Sequence, residues 1–200
     1  MIGGLLLLAY FLGATPTSHL VGRAMYGVDL REHGSGNLGA TNVFRVLGWK
    51  AALPVATVDV GKGWLPTALF PRWDQAAGAE WALAYGAAAI VGHVFSVFVR
   101  FRGGKGVATS AGVFLALAPW ATLAGLGAWV ATVAATRIVS LGSLMAAVTL
   151  PVAVYLTGEP RPVLGLAAGL ALFVILAHRS NIRRLLRGEE NRFGRKGTTP

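Results

Sequence analysis

The sequence predicts an all-α integral membrane protein with seven transmembrane helices, its N-terminus outside and its C-terminus in the cytoplasm. Three observations carry that expectation. First, 54% of the 200 residues are hydrophobic and only 13% are charged, against about 25% charged in an ordinary soluble domain; mean hydropathy is +0.60. Second, apolar runs of about 20 residues recur, the length that crosses the hydrocarbon core of a bilayer. Third, the basic residues are distributed unevenly between the two sides that those runs define.

Taken in order, Ile2–Val21 reads as the first span. No basic stretch precedes it, so a cleaved signal peptide is not expected. Trp49–Phe70 and Trp81–Val99 follow as the second and third spans. Gly106–Thr136 then runs 31 residues without a charge. At about 1.5 Å per residue it would be roughly 46 Å long, too much for one ordinary span. Pro119 near its middle is a plausible break, giving a short fourth span and a fuller fifth. Leu141–Leu156 and Pro162–Ala177 are the sixth and seventh. This arrangement puts 15 of the 18 basic residues on one side, with Arg72 and Arg161 opposite and Lys62 inside the second span. Positive charge collects on the cytoplasmic side, which sets the orientation. Without the break at Pro119, the seven basic residues after Ala177 would lie outside. Residues 1–193 are expected to form a single membrane domain and 194–200 a frayed basic tail. No internal repeat is visible, which argues against a repeat-built transporter.

Several chemistries are excluded by composition. With Cys 0 there is no disulfide, zinc–cysteine site or thiol nucleophile. The net charge of +10 on so apolar a chain points to anionic lipid or anionic metabolites as partners. Aromatic residues are not interleaved with the basic face, so nucleic acid is not expected.

The predicted cytoplasmic side carries the polar chemistry. Three segments are rich in Gly, Asn, Ser and Arg: GSGNLGATNVFRVLG (34–48), GHVFSVFVRFRGGKGVATSAG (92–112) and HRSNIRRLLRGEENRFG (178–194). A fourth, RIVSLGS (137–143), includes Ser140. All four can converge at one membrane face. Gly34, Gly36 and Gly39 match G-x-G-x-x-G, but a dinucleotide site needs a preceding strand, and here a membrane helix precedes. A re-entrant turn would explain the glycines. So would a backbone nest for an anion, with Ser35, Asn37, Thr41 and Asn42 as uncharged donors and Arg45 nearby. FRGGKG is not a Walker A motif. It nevertheless sets Gly103, Gly104, Lys105 and Gly106 before a helix N-terminus, which attracts phosphate. Membrane anchoring accounts for Arg100 and Arg102 but not for a glycine pair beside a lysine. His178 and Asn181, at i and i+3, share a helix face. Arg183, Arg184 and Arg187 suit an interfacial helix on lipid headgroups. His19 and His93, alone on apolar helices, are expected to be packing or hydrogen-bonded residues. Asp59 and Lys62, also i and i+3, read as a structural ion pair within the second span.

The inventory is rich in anion binders and poor in acids. No carboxylate cluster suits a divalent metal, so no metal or other cofactor is expected. No His is followed five positions later by Asp, so a His–Asp catalytic pair at that spacing is absent. A metal-free transfer between two phosphate-bearing substrates fits.

The three segments resemble, in order, the three motifs of the bacterial acyl-phosphate:glycerol-3-phosphate acyltransferase family (PlsY). Asp59 and Lys62 match its D-x-x-K in the second span. The resemblance covers essentially the whole chain. It implies transfer of an acyl chain from acyl phosphate to the 1-hydroxyl of glycerol 3-phosphate, giving 1-acyl-glycerol 3-phosphate (lysophosphatidic acid) and phosphate. That is the committed step of phospholipid synthesis in many bacteria, at the cytoplasmic face of the inner membrane. By similarity Ser35, Arg45, Lys105, His178 and Asn181 form the catalytic set. Gly34, Gly36, Asn37, Gly39, Thr41, Asn42, Gly103, Gly104, Gly106 and Ser140 are then substrate-binding candidates. Expected partners are acyl phosphate, glycerol 3-phosphate and membrane lipid, with a monomer favoured. Two proton acceptors stay open: His178 or the substrate's own phosphate. The alternative from another class is a small channel or carrier for organic phosphates, although the outer loops lack anion-binding residues.

Overall fold

The computed structural model describes residues 2–74 and 80–192; the expected tail at 194–200 lies outside them. Among the described residues all regular structure is helical. The chain divides into two compact units, 1–117 and 118–200.

In the first unit, α1 (Ile2–Ala14) and α2 (Thr17–Tyr26) replace the single span expected over Ile2–Val21, and they bend by 43°. Pro16 lacks an N–H and disfavours helical backbone at Thr15, so the helix stops one residue earlier. The chain leaves α2 through Gly27 (φ +66°) and crosses the first polar segment to α3 (Ala40–Leu47) and α4 (Trp49–Trp73). Leu30, Leu38, Val43 and Val55 are buried together where that segment folds onto α3 and α4. Each such side chain withdrawn from water contributes roughly 1.5–3 kcal/mol. α5 (Glu80–Val94) packs on α1 and α4. The third span, expected to reach Val99, instead ends in a tight turn over Val97–Val99. α6 (Val107–Leu117) lies against α4. The two backbones approach so closely that a Cβ at Gly63 would strike the Thr109 carbonyl, and one at Gly112 the Val60 carbonyl. Small residues at such crossings are how membrane helices pack tightly.

The second unit begins at the expected break. Ala118 is extended (φ −148°) and Pro119 opens α7 (Pro119–Thr136). α8 (Val139–Leu156) packs on both α7 and α9 (Arg161–Ala177). A 59° bend at His178, just past the expected end of the seventh span at Ala177, leads into α10 (Arg179–Leu186).

Among the described residues two helical stretches, 80–99 and 139–156, are long and apolar enough to cross a membrane alone. The bent pairs α1–α2 and α9–α10 qualify when each is taken as one span. Leu123, Leu126, Val130, Val148 and Val152 are all exposed, the apolar outer surface that a bilayer would cover.

Candidate functional site

In the first unit the first motif is stitched from within. Asn42, 1% exposed, donates Nδ2 hydrogens to the carbonyls of Leu30 and His33, both at 3.0 Å. Its Oδ1 accepts the Ser35 N–H at 2.8 Å and lies 3.5 Å from Arg45 Nη1. Asn42 therefore holds the Ser35 turn in shape rather than offering its amide to an anion. The nest expected over Gly34–Gly39 is partly filled in the same way, because the Gly36 N–H donates to His33 O. Gly34 and Gly36 have φ of +64° and +68°, which favours glycine. Ser35, Thr41 and Arg45 are exposed, and Asn37 and Gly39 are half-buried.

Just before this turn, Asp29 accepts from Arg31 at 2.6 Å and from Arg23 at 3.1 Å. The Arg31 hydrogen bonds, chiefly, hold the Asp29 carboxyl well below the usual carboxylate range. His19, expected to be a packing or hydrogen-bonded residue, has Nδ1 3.7 Å from the same carboxylate.

The second motif runs from α5 to α6. Arg100 and Phe101 adopt φ of 55° and 60°, Gly106 one of +78°. The Gly103 and Gly104 N–H groups donate to Val94 O and His93 O, so they brace the loop instead of facing an anion. Lys105 is half-buried immediately before Gly106 and α6. The Asp59–Lys62 pair forms as expected, at 2.8 Å. His93, expected to be a packing or hydrogen-bonded residue, is buried with its Nδ1 3.9 Å from Asp59.

In the second unit, His178 and Asn181 are both buried. His178 Nδ1 is 2.8 Å from the Val174 carbonyl. A carbonyl only accepts, so Nδ1 carries the proton and Nε2 is the acceptor of the neutral ring. Asn181 Nδ2 donates to Glu190 Oε1 at 2.8 Å, Ser140 Oγ donates to the same oxygen at 3.0 Å, and Arg184 Nε donates to Oε2 at 2.7 Å. Burial alone would raise the Glu190 carboxyl, but these hydrogen bonds outweigh it and hold it below its ordinary value. Glu190 thus joins two candidate residues far apart in sequence. Arg184, expected on lipid headgroups, is engaged by Glu190, while Arg183 and Arg187 are exposed. Among the described residues no group of three His, Asp or Glu could hold a metal ion.

The glycerol-3-phosphate acyltransferase family model matches residues 3–188. The chain belongs to this family. A glycerol-3-phosphate acyltransferase of Trichlorobacter lovleyi is 45% identical over 92% of this chain and 94% of its own. One from Synechococcus elongatus is 46% identical, over 96% and 95%. Among solved structures, PlsY (YgiH), an integral membrane glycerol 3-phosphate acyltransferase, matches in its glycerol 3-phosphate form with a TM-score of 0.89 at 38% identity, covering 96% of each chain. Its lysophosphatidic acid form matches with a TM-score of 0.86 at 37% identity. Like that relative, this glycerol-3-phosphate acyltransferase family member is an integral membrane protein, and all regular structure among its described residues is helical.

Sequence reading missed Glu190 and Asp29 in this family member, although both lie in or beside the quoted segments. The available signal was the few acids set among arginines, Asp29 between Arg23 and Arg31 and Glu190 between Arg187 and Arg192, a pattern that predicts an internal partner. Nothing in the spacing connects His93 with Gly104.

Proposed function

We propose that the protein transfers an acyl chain from acyl phosphate to the 1-hydroxyl of glycerol 3-phosphate. The hydroxyl oxygen attacks the acyl carbonyl carbon and the carbon–oxygen bond to phosphate breaks. Inorganic phosphate leaves with the bonding electrons, and the hydroxyl proton ends on a phosphate. The products are lysophosphatidic acid and phosphate. What supports this reading most is the match to a relative solved in forms named for glycerol 3-phosphate and for lysophosphatidic acid, an acceptor and its acylated product.

Arg45 and Lys105 neutralise phosphate charge; Ser35 and Asn181 hydrogen-bond substrate oxygens, and Ser140 contributes through Glu190, the carboxylate it shares with Asn181. The first- and second-motif loops shape the anion pockets. Acyl phosphate is a mixed anhydride with a good leaving group, so a strong protein base is unnecessary. His178 orients the acceptor, and the substrate phosphate takes the proton. Holding both reactants aligned supplies much of the acceleration, since well-oriented groups reach effective molarities of about 10⁵–10⁸ M. No cofactor enters these steps. Residues 1–193 act as one catalytic domain. The domain is a seven-span monomer of the bacterial inner membrane, with its N-terminus outside and its chemistry at the cytoplasmic face among membrane lipid.

The test is phosphate release by purified protein given each substrate alone and both together, with EDTA present. Release that requires both supports acyl transfer. No release under any of the three conditions, with glycerol 3-phosphate flux into protein-containing vesicles, would favour a carrier.

A further inference from the structure

Beneath the second-motif loop lies a buried polar cluster that the proposed transfer leaves without a task. Asp59 and Lys62, one turn apart on α4, form an ion pair at 2.8 Å with side chains only 2% and 6% exposed. Lys62 Nζ also donates to the Thr15 carbonyl at 3.0 Å. That carbonyl sits at the break between α1 and α2, where Pro16 interrupts the helical ladder. Ser96 Oγ donates to the Ala14 carbonyl at the same break. Freed carbonyls inside a membrane protein need such partners, so the break and the cluster hold each other in place.

His93 on α5 completes the group, 3.9 Å from Asp59. It is also the floor of the loop. The Gly104 N–H donates to His93 O at 3.2 Å and the Gly103 N–H to Val94 O at 3.0 Å. A Cβ at Gly104 would strike the His93 ring, and one at Gly103 the His93 carbonyl. The glycine pair is there because the loop lies directly on His93. A pocket of about 10 Å³, room for one water, is lined by Asp59, Lys62, His93, Ser96, Gly103 and Gly104 among others. The next residue along the chain is Lys105, followed by Gly106 and α6.

We infer that Asp59, Lys62 and His93 are positioning residues for the reaction, fixing the backbone of Gly103–Gly104 so that Lys105 meets the phosphate of glycerol 3-phosphate. A buried ion pair resists displacement because moving either partner leaves an uncompensated charge. His93, 6% exposed and packed between that pair and the Gly103–Gly104 backbone, has a fixed place, and the loop seated on it has one register. The inference rests on the acyl-transfer reading above.

The experiment is a double-mutant cycle on detergent-purified full-length protein: wild type, His93→Gln, Lys105→Met and the double variant. Glycerol 3-phosphate is varied at saturating palmitoyl phosphate. His93→Gln should raise KM for glycerol 3-phosphate about tenfold with kcat held within about twofold, whereas a purely structural role would lower kcat by reducing active protein. The double variant should be within about twofold of Lys105→Met alone, the non-additivity expected of residues that act as one unit. An unchanged KM, or losses that multiply, overturns the inference. Should His93→Gln fail to fold, Gly104→Ala displaces the loop from the ring with the ion pair intact, and its cycle with Lys105→Met carries the same two outcomes. If Lys105→Met is impaired but His93→Gln or Gly104→Ala has wild-type kinetics, the positioning inference alone fails. Wild-type kinetics for Lys105→Met would contradict the phosphate role of Lys105, and the inference with it.

Discussion

Replacing Glu190 should do more damage than its place near the C-terminus suggests. Its carboxylate accepts from Ser140, Asn181 and Arg184. Ser140 and Asn181 are buried, and a hydrogen bond to a charged group contributes about 1.5–3 kcal/mol. Those two bonds together give about 3–6 kcal/mol. The Arg184 side chain is 36% exposed, so solvent screening limits its share to about 1 kcal/mol or less. Glu190→Ala should therefore lower Tm by at least about 6 °C at about 2 °C per kcal/mol for a chain of this size. Glu190→Gln keeps Oε1 as an acceptor for Ser140 and Asn181 but turns an NH₂ toward Arg184, so its loss should be smaller. Because the folded carboxyl is held below its ordinary value, its stabilisation is complete above the unfolded value. It is lost as pH falls through the folded one. The Gln variant should thus lose less stability on acidification than wild type. Thermal unfolding in detergent, followed across that pH range, is the assay. A Glu190→Ala Tm within about 1 °C of wild type would refute the reasoning.

Lys105→Met should lower kcat/KM at least about tenfold, since a charged hydrogen bond of about 1.5–3 kcal/mol is lost at roughly 1.4 kcal/mol per decade. Lys105→Arg should restore activity only in part, because a planar guanidinium does not replace a compact ammonium; steady-state kinetics checks both. His178→Gln should retain measurable activity with the acidic limb of its pH–rate profile intact, and a vanished limb would make His178 the base. Single cysteines at Ser35 and Asn191 should react only with impermeant reagent supplied from the cytoplasm, and one at Thr157 only from outside; labelling of Ser35 and Asn191 from opposite sides would defeat the seven-span scheme.

The strong local signals in the sequence were those whose cause is local. Pro119 breaks the long apolar run where backbone sterics require it, and Asp59 and Lys62 pair because two charges one turn apart on an apolar helix have few other partners. Pro16 carried the same signal as Pro119, but hydropathy continued smoothly past it and the bend between α1 and α2 went unread. The bend at His178 has no proline and no glycine; it coincides with a buried ring whose Nδ1–H bonds to Val174 O. In the site, residue types were legible and their partners were not. Asn42 and Asn37 look alike in GSGNLGATN, yet only burial shows that Asn42 secures the loop. The seats of Gly104 on His93 and of Ser140 on Glu190 depend on contacts across long stretches of chain, which periodicity cannot supply.

The central claim is that an acyl group, not a phosphoryl group, moves to the glycerol 3-phosphate hydroxyl. Purified protein should be given acyl phosphate and glycerol 3-phosphate carrying a heavy oxygen isotope in its 1-hydroxyl, and both products analysed by mass spectrometry. Attack at the acyl carbon predicts that all the label stays in the ester of lysophosphatidic acid and that the released phosphate, formed in equal amount, carries none. Label bonded to the transferred phosphorus, or fatty acid and phosphate released without lysophosphatidic acid, would contradict the account.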